Sequence, residues 1–341
     1  MPETYLLANS LVVLLLLGAL ALGVAVRRHD LWLEASVELW RRRPVAIVML
    51  ALYVAVALAD SIAWVGGAQA GEDLVAAHKP RSLIDRLFID LEEKSYSVPL
   101  ASREFYLSAP LKHPQKHLLG TDILGRDVLY LTLKGARIAL LLGVLTSLIA
   151  IPLALLLGVS AGYFGKRVDD LIFFLLSVVA SMPSLLLLVA LIMVMGRGTL
   201  SVCVALGVTS WVVFCRVARG ETMKLRELDY VHAARALGVP ERKIITRHIL
   251  PGLTPLIVIT FVLTFSSLIL TEAVLSWLGI GVDGSWGQMI AQAKDEFSRD
   301  PVIWWNIVPA GTALFGLILS LNFLGDAVRD ILDPRTLREN L

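Results

Sequence analysis

The sequence is short of charge and almost without cysteine. Charged residues make up 18% of its 341 positions, and Cys203 and Cys215 are the two cysteines, both inside one apolar block. Soluble domains carry about 25% charged residues, so a water-exposed surface of ordinary size is excluded. Two cysteines at this spacing form neither a disulfide framework nor a metal site, and they read as small apolar residues of a helix. No G-x-x-x-x-G-K-[ST] string occurs, so the chain has no phosphate-cradling loop; Gly196-Arg197-Gly198 reads as a turn between two apolar runs. No H-E-x-x-H occurs either, which excludes that zinc-protease arrangement. The formal net charge of +2 points to no partner, because the charges are unevenly placed.

What the chain has is apolar residues, 57% of the total, gathered in long blocks. A helix needs about 20 such residues to cross a hydrocarbon core roughly 30 Å thick. The runs at 5–26, 45–66, 137–161, 171–195, 199–215, 253–275 and 306–327 give about seven candidate spans and an all-α polytopic membrane protein. His29, His78, His113, His117, His232 and His248 all fall outside these runs. No histidine is therefore expected at membrane depth for haem ligation or an intramembrane serine protease. No catalytic residue, metal ligand or cofactor is expected. Neither a soluble catalytic domain nor an internal repeat is visible.

Basic residues in short loops mark the cytoplasmic side. Arg27, Arg28, Arg41, Arg42 and Arg43 follow the first run, Lys166 and Arg167 the third, and the loop 216–250 carries eight basic residues. Arg329, Arg335 and Arg338 lie in the tail. Seven crossings put all four segments on one side, with the amino terminus outside and the carboxyl terminus inside. Met1 to Thr4 holds no basic residue, so the first run reads as an anchor and not as a signal peptide. The expected organisation is a two-span anchor over 1–66, an extracytoplasmic cap over 67–136, a membrane core over 137–327 with its cytoplasmic loop at 216–251, and a tail over 328–341. Within the cap, Leu83, Ile84, Leu87, Phe88 and Leu91 predict a short amphipathic helix over 82–94.

The loop from Glu227 to Pro251 carries the most local information. Tyr230, Ala233, Ala234 and Leu237 recur at i, i+3, i+4 and i+7, one stripe of a short helix. Gly238 stands where a helix end takes a left-handed residue, and Pro240 follows where that helix cannot continue. Pro240 and Glu241 suit the first turn of a second helix, which carries Ile244, Ile245 and Ile249 and is expected to stop before Pro251. The small residues Ala233, Ala234 and Ala236 allow a partner's backbone to approach closely. An amphipathic helix tucked against the chain's own spans fits the same pattern.

The spacing resembles the EAA loop of ABC-importer permeases, which reads Glu-Ala-Ala, three residues, Gly, nine residues, an apolar residue, any residue, Leu-Pro. Here it is His232-Ala233-Ala234, Gly238, His248-Ile249-Leu250-Pro251, with His232 in place of the acid and His248 in place of the apolar residue. Three further strings are similar to the dipeptide/oligopeptide permeases, in particular the second permease of such pairs. They are Leu119-Gly120-Thr121-Asp122-Ile123-Leu124-Gly125-Arg126-Asp127-Val128-Leu129 with Gly135-Ala136-Arg137-Ile138, Glu272-Ala273-Val274-Leu275-Ser276-Trp277-Leu278-Gly279-Ile280-Gly281 with Ser285-Trp286-Gly287, and Leu324-Gly325-Asp326 through Asp333-Pro334-Arg335. The resemblance covers about 117–335, and the run at 5–26 is an extra span relative to it.

It implies a type I ABC-importer permease core in the bacterial inner membrane that hydrolyses nothing itself. The implied partners are a homologous second permease, two cytoplasmic ABC ATPases and an extracytoplasmic solute-binding protein. Tyr230, Ala233, Ala234, Leu237, Gly238 and Pro251 would couple it to an ATPase. Peptides are the implied cargo, with nickel complexes or other small solutes as the alternative. Physically, Thr121 or Asp122 could cap the helix that follows, and Arg126 could pair with Asp127. The glycines near 279–284 suggest a re-entrant turn, and Glu272 is an acid near a span end. Ser177, Ser181 and Ser184 beside Pro183 are candidates to line a pathway, or mark only a kink. The rival class is an ion-coupled secondary transporter, which places charge near the midplane; Asp60, Glu272 and Asp326 fall toward span ends instead.

Overall fold

The computed structural model describes residues 38–41, 43–64, 81–89 and 91–332. The expected first span at 5–26, the first part of the cap and most of the tail lie outside these residues. Most of the described chain is helical, and the stretch 91–127 is turns and irregular structure. The elements are α1 (Pro44–Ser61), the short strands β1 (Ala63–Trp64) and β2 (Arg81–Ser82), α2 (Leu83–Leu87), α3 (Val128–Phe164), α4 (Lys166–Ala180) and α5 (Ser184–Met195). They continue with α6 (Thr199–Arg226), α7 (Asp229–Ala236), α8 (Glu241–Ile244), a π-helical turn at Ile245–Ile249, α9 (Leu250–Trp277), α10 (Trp286–Phe297) and α11 (Ile307–Leu332). The strands pair antiparallel, Ala63 opposite Ser82.

Among the described residues five helices are long and apolar enough to cross a membrane: α1, α3, α6, the continuous helix Glu241–Trp277 and Ile307–Ile331. The run expected to span at 171–195 is instead broken into α4 and α5, bent by 87°. Pro183 is the cause, since proline excludes its predecessor from helical geometry and offers no N–H to the preceding turn. Ser177 and Ser181 give their hydroxyls back to the carbonyls of Phe173 and Val178 near this break. Two expected boundaries also move. The third span starts at Val128, nine residues early, and the cap helix is only Leu83–Leu87 rather than 82–94. The helix at 241 runs on through Pro251 instead of stopping there. Its π turn explains how, because the Leu250 N–H reaches back to the Ile245 carbonyl and the widened backbone accommodates the proline.

The chain forms two compact units, 1–141 with 272–320 and 142–271 with 321–341. In the second, α3 and α6 lie backbone to backbone. A Cβ on Gly158 would sit 2.7 Å from the Cys215 carbonyl, and one on Gly162 would sit 2.6 Å from that of Arg219. Small residues at a crossing let dispersion replace the hydrophobic effect that lipid does not supply. Ile151, Ala154, Ile172, Trp211, Phe214 and Cys215 fill the same core. The Arg219 guanidinium fastens α6 to α4 through Asp169, with Nη2 to Oδ2 at 2.6 Å.

The first unit is built around a buried acid. Asp60, near the end of α1, accepts from the Ser82 hydroxyl at 2.7 Å and pairs with Arg137 Nε at 3.2 Å and Lys134 Nζ at 3.7 Å. Its backbone carbonyl accepts from Arg137 Nη1 at 2.9 Å. Ser82 and Asp85 form a capping box that starts α2. Burial opposes ionisation of Asp85, but hydrogen bonds from Lys134, the Ser82 N–H and Tyr130 outweigh it and hold the carboxyl at about 2. Elsewhere on α1, Tyr53 donates to the Ala313 carbonyl at 2.9 Å and meets the Trp286 ring edge-on. Replacing Asp60 by alanine leaves two half-buried cations short of a carboxylate: Arg137 loses its ion pair, and Lys134 keeps only Asp85 at 2.6 Å. Loss of one member of a buried pair costs about 3–5 kcal/mol, and their partial exposure reduces this to ~2 kcal/mol. Thermal unfolding of the purified chain in detergent should register that loss, and an unshifted midpoint would remove Asp60 from its place as the anchor of this unit.

Candidate functional site

The expected site residues fall into three local structures. The first is the turn that introduces α3. Gly120 and Gly125 both have positive φ, +77° and +72°. Gly125 is also fixed by space, because a Cβ there would lie 2.0 Å from the Glu93 carbonyl oxygen. Asp122 closes the loop on itself. Its Oδ1 accepts from the N–H groups of Leu124 and Arg126, and its Oδ2 accepts from Arg126 Nε and Nη2 at 2.9 and 2.7 Å. Thr121 is buried and donates to the Ser95 carbonyl while accepting from the Ser97 N–H.

Two expectations are corrected here. The helix cap is Asp127, whose Oδ1 accepts from the N–H groups of Leu129 and Tyr130, and neither Thr121 nor Asp122 serves it. Arg126 pairs with Asp122 and not with Asp127. The free oxygen of Asp127 meets His117 Nδ1 at 2.9 Å, and His117 Nε2 faces Glu93 at 3.5 Å. Glu93 in turn accepts the backbone N–H groups of Lys112 and His113. The hydrogen bond to Asp127, opposed by burial, raises the His117 imidazole above its ordinary value. A lone histidine outside the spans gave no sequence signal for this role; the pairing exists only once the turn folds.

The second structure follows α9. Glu272 is buried and its Oε1 accepts from the Ser276 hydroxyl at 2.6 Å and the Val282 N–H at 3.4 Å. Gly279 has φ +77°, and Gly281 packs so closely that a Cβ would collide with Ser276. The expected re-entrant turn is a short link into α10, which Ser285 caps by accepting the Gln288 N–H. Trp286 then donates to the Thr132 carbonyl at 2.8 Å.

The third is the loop. Helix α7 ends at Leu237, Gly238 turns with φ +75°, and α8 begins after Pro240. The stripe read from the sequence divides between two faces. Val231 and Ala234 are buried with Ile244, Ile249 and Leu253 against Val159 and Tyr163. Tyr230 is 45% exposed, Leu237 is 83% exposed, and Ala233 lies on the same open side. Pro251 belongs to the continuing helix. Tyr163 hydrogen-bonds Glu241, and the Arg235 guanidinium lies 5.5 Å over the Tyr163 ring. Arg226 Nη1 donates to the Gly162 carbonyl at 2.8 Å, fixing where α6 ends. His232 Nε2 stands 3.6 Å from Glu227, whose carboxyl is held below its usual range chiefly by the hydrogen bond from Arg226. Among the described residues no cluster of His, Cys, Asp or Glu could hold a metal ion.

Residues 154–338, more than half of the chain, match the family of binding-protein-dependent transport system inner membrane components. The glutathione transport system permease protein GsiD of Pectobacterium atrosepticum is 37% identical over 64% of this chain and 73% of its own. The oligopeptide transport system permease protein OppC of Bacillus subtilis is 34% identical over 70% of this chain and 79% of its own. The di/tripeptide transport system permease protein DppC of Pseudomonas aeruginosa is 36% identical over 68% and 78%. A structure of the inward-facing MetNI methionine ABC transporter covers 60% of this chain and 95% of the matched chain, at 20% identity and a TM-score of 0.46. By its family match and these permease relatives, the chain is a multi-pass inner-membrane transport permease. It belongs to the binding-protein-dependent transport system inner membrane components, among the ABC-importer permeases of the dipeptide/oligopeptide family.

Two measurements probe this geometry. No atom lies within 4 Å of a Cβ built on Gly238, so Gly238→Ala should cost only the left-handed backbone, about 1–2 kcal/mol. Proteolysis or hydrogen exchange confined to the loop would report it; a global loss of fold would mean that packing matters there. For His117 the folded pKa is raised, so its stabilising contribution is complete below about 6.5 and is lost as pH rises through the folded value. The unfolding midpoint should fall over that window in the wild type and lose this dependence in His117→Gln. Identical pH profiles for the two proteins would exclude His117 as the titrating clasp.

Proposed function

We propose that this chain is the second permease of a heterodimeric pair that imports peptides, driven by two cytoplasmic ABC ATPases and supplied by an extracytoplasmic solute-binding protein. The loop 216–251 is the coupling element, with Tyr230, Ala233 and Leu237 meeting the ATPase. One observation carries this: a short helix offers an apolar, small-residue stripe to solvent while its opposite face is bolted into the core of its own unit. A helix held in this way transmits a push, because Val231, Ala234, Ile244 and Ile249 move only together with α3 and the helix beginning at Glu241. An exposed leucine on a helix outside the apolar spans is otherwise costly to hydrate, and a partner's groove removes that cost.

Glu227 beside His232 supplies a carboxylate five residues before the position where the EAA pattern has its acid. On this reading Glu227 takes over any contact made to a basic group on the ATPase. The glutathione, oligopeptide and di/tripeptide systems to which the relatives belong support peptide-type cargo. ATP acts by biasing an equilibrium between outward- and inward-facing states. The orientation that goes with this reading places the loop and the carboxyl terminus in the cytoplasm, the cap over 67–136 outside, and the anchor over 1–66 ahead of the core.

Leu237→Asp should weaken ATPase binding about tenfold, equivalent to ~1.4 kcal/mol, and leave the unfolding midpoint of the chain unchanged. Val231→Asp, on the buried face of the same helix, should lower that midpoint. Co-purification and ATP-driven peptide uptake in proteoliposomes provide the readout. Full ATPase binding by Leu237→Asp would end the coupling assignment, and uptake without any ATPase would favour an ion-coupled carrier.

A further inference from the structure

Glu296, on α10, is 2% exposed and Asn306, just before α11, is 3% exposed. Asn306 Nδ2 donates to Glu296 Oε1 at 2.7 Å, and the Tyr96 hydroxyl donates to the same oxygen at 3.1 Å. The other two oxygens of the pair, Glu296 Oε2 and Asn306 Oδ1, are both buried and both without a hydrogen-bond partner. Each is an acceptor when the carboxyl is ionised, so neither can satisfy the other, and an unmet buried acceptor costs about 1–3 kcal/mol. One proton resolves both. An acid O–H at Oε2 donates to Oδ1 while the amide N–H donates to Oε1, closing a two-bond carboxylic acid–amide ring.

We propose that Glu296 is a proton-binding site whose protonated acid closes a clasp joining the Tyr96 segment, α10 and the entry to α11. The groups around it agree. Burial pushes the Glu296 carboxyl up, the Asp122 carboxylate pushes it further, and Asn306, Tyr96 and Arg299 pull the other way. Arg299, the one cation among these groups, has its guanidinium 5.4 Å over the Tyr96 ring and does not form an ion pair with Glu296. Asp122 is already engaged by Arg126. Burial, together with its contacts to Glu296, raises the Tyr96 phenol, so it stays a donor throughout the working range. Removing the proton leaves Oε2 charged against the Asn306 carbonyl oxygen and breaks one of the two bonds of the ring. The clasp therefore responds to pH on the side of the membrane where α10 lies, and it stands independently of the coupling loop.

The experiment is infrared spectroscopy of the full-length chain in detergent, wild type minus Glu296→Gln, at pH 7. Glutamine reproduces the neutral acid's pattern, its amide N–H replacing the O–H toward Asn306. The difference spectrum should contain the carbonyl stretch of one protonated carboxylic acid. It should disappear on alkaline titration. Thermal unfolding adds a second readout. A raised acid contributes stability that is complete below its ordinary value of 4.5 and is lost as pH rises toward the folded value. The wild type should therefore match Glu296→Gln at acid pH and fall below it as the pH is raised. No acid band at pH 7, or a Glu296→Gln midpoint below wild type at every pH, would overturn the proposal. If Glu296→Gln does not accumulate, Asn306→Ala keeps the acid and removes its acceptor. The band should then shift to higher frequency, and an unshifted or missing band overturns the assignment equally.

Discussion

A helix of 37 residues cannot start at an apolar layer with its first N–H groups bare, and Asp127 is where this chain meets that constraint. One carboxylate oxygen caps α3, and the other is held by His117. His117 faces Glu93, and Glu93 gathers the backbone of Lys112 and His113. The polar segment before α3 is thus organised outward from the helix end. Asp122, Thr121 and the tight Gly125 turn make the local shape that delivers Asp127 to its capping position. Removing any one of them would disturb the first turn of α3 before it disturbed anything else.

The spans were legible because lipid imposes a length and a composition that no soluble core requires. Apolar runs located α1, α3, α6, α9 and α11 to within a few residues wherever the ends were also apolar. They failed at ends built from polar residues. Helix α3 begins nine residues early because Val128 to Ala136 already pairs its backbone helically, although Lys134 and Thr132 dilute the hydropathy. They failed again at Pro183 and Pro251, which look alike in sequence. The first proline breaks its run by 87°, whereas the second is carried through by a π turn. Nothing local distinguishes them. The second is held by Ile244, Ile249 and Leu253 in a common core, which keeps the helix continuous at the expense of its hydrogen-bond register.

The loop shows how a correct period can assign a wrong face. Tyr230, Ala233, Ala234 and Leu237 obey helical spacing, yet four such residues cover an arc wide enough to include both a buried edge and an open one. Val231 decides the matter. It is fully buried and draws Ala234 inward, which turns Tyr230, Ala233 and Leu237 outward. Three of the four positions therefore face outward, and the fourth holds the helix in place. Likewise, His232 stands 3.6 Å from Glu227, a neighbour that the linear pattern does not include.

Asp60, Glu272 and Glu296, three of the buried acids of the first unit, are each accommodated differently. Asp60 is met by two cations and a hydroxyl, which tie α1 to α3. Glu272 is met by the Ser276 hydroxyl and a backbone N–H, which fix the link into α10. Glu296 receives two neutral donors on one oxygen, while its second oxygen and the Asn306 carbonyl oxygen are both buried without a partner. Desolvation is similar in kind at all three sites, so the partners decide the outcome. Where lysine and arginine reach the carboxylate, its oxygens are met by donors. Where the nearest unmet group is another acceptor, only a hydrogen between the two can remove both penalties, and the acid itself is the group able to supply it.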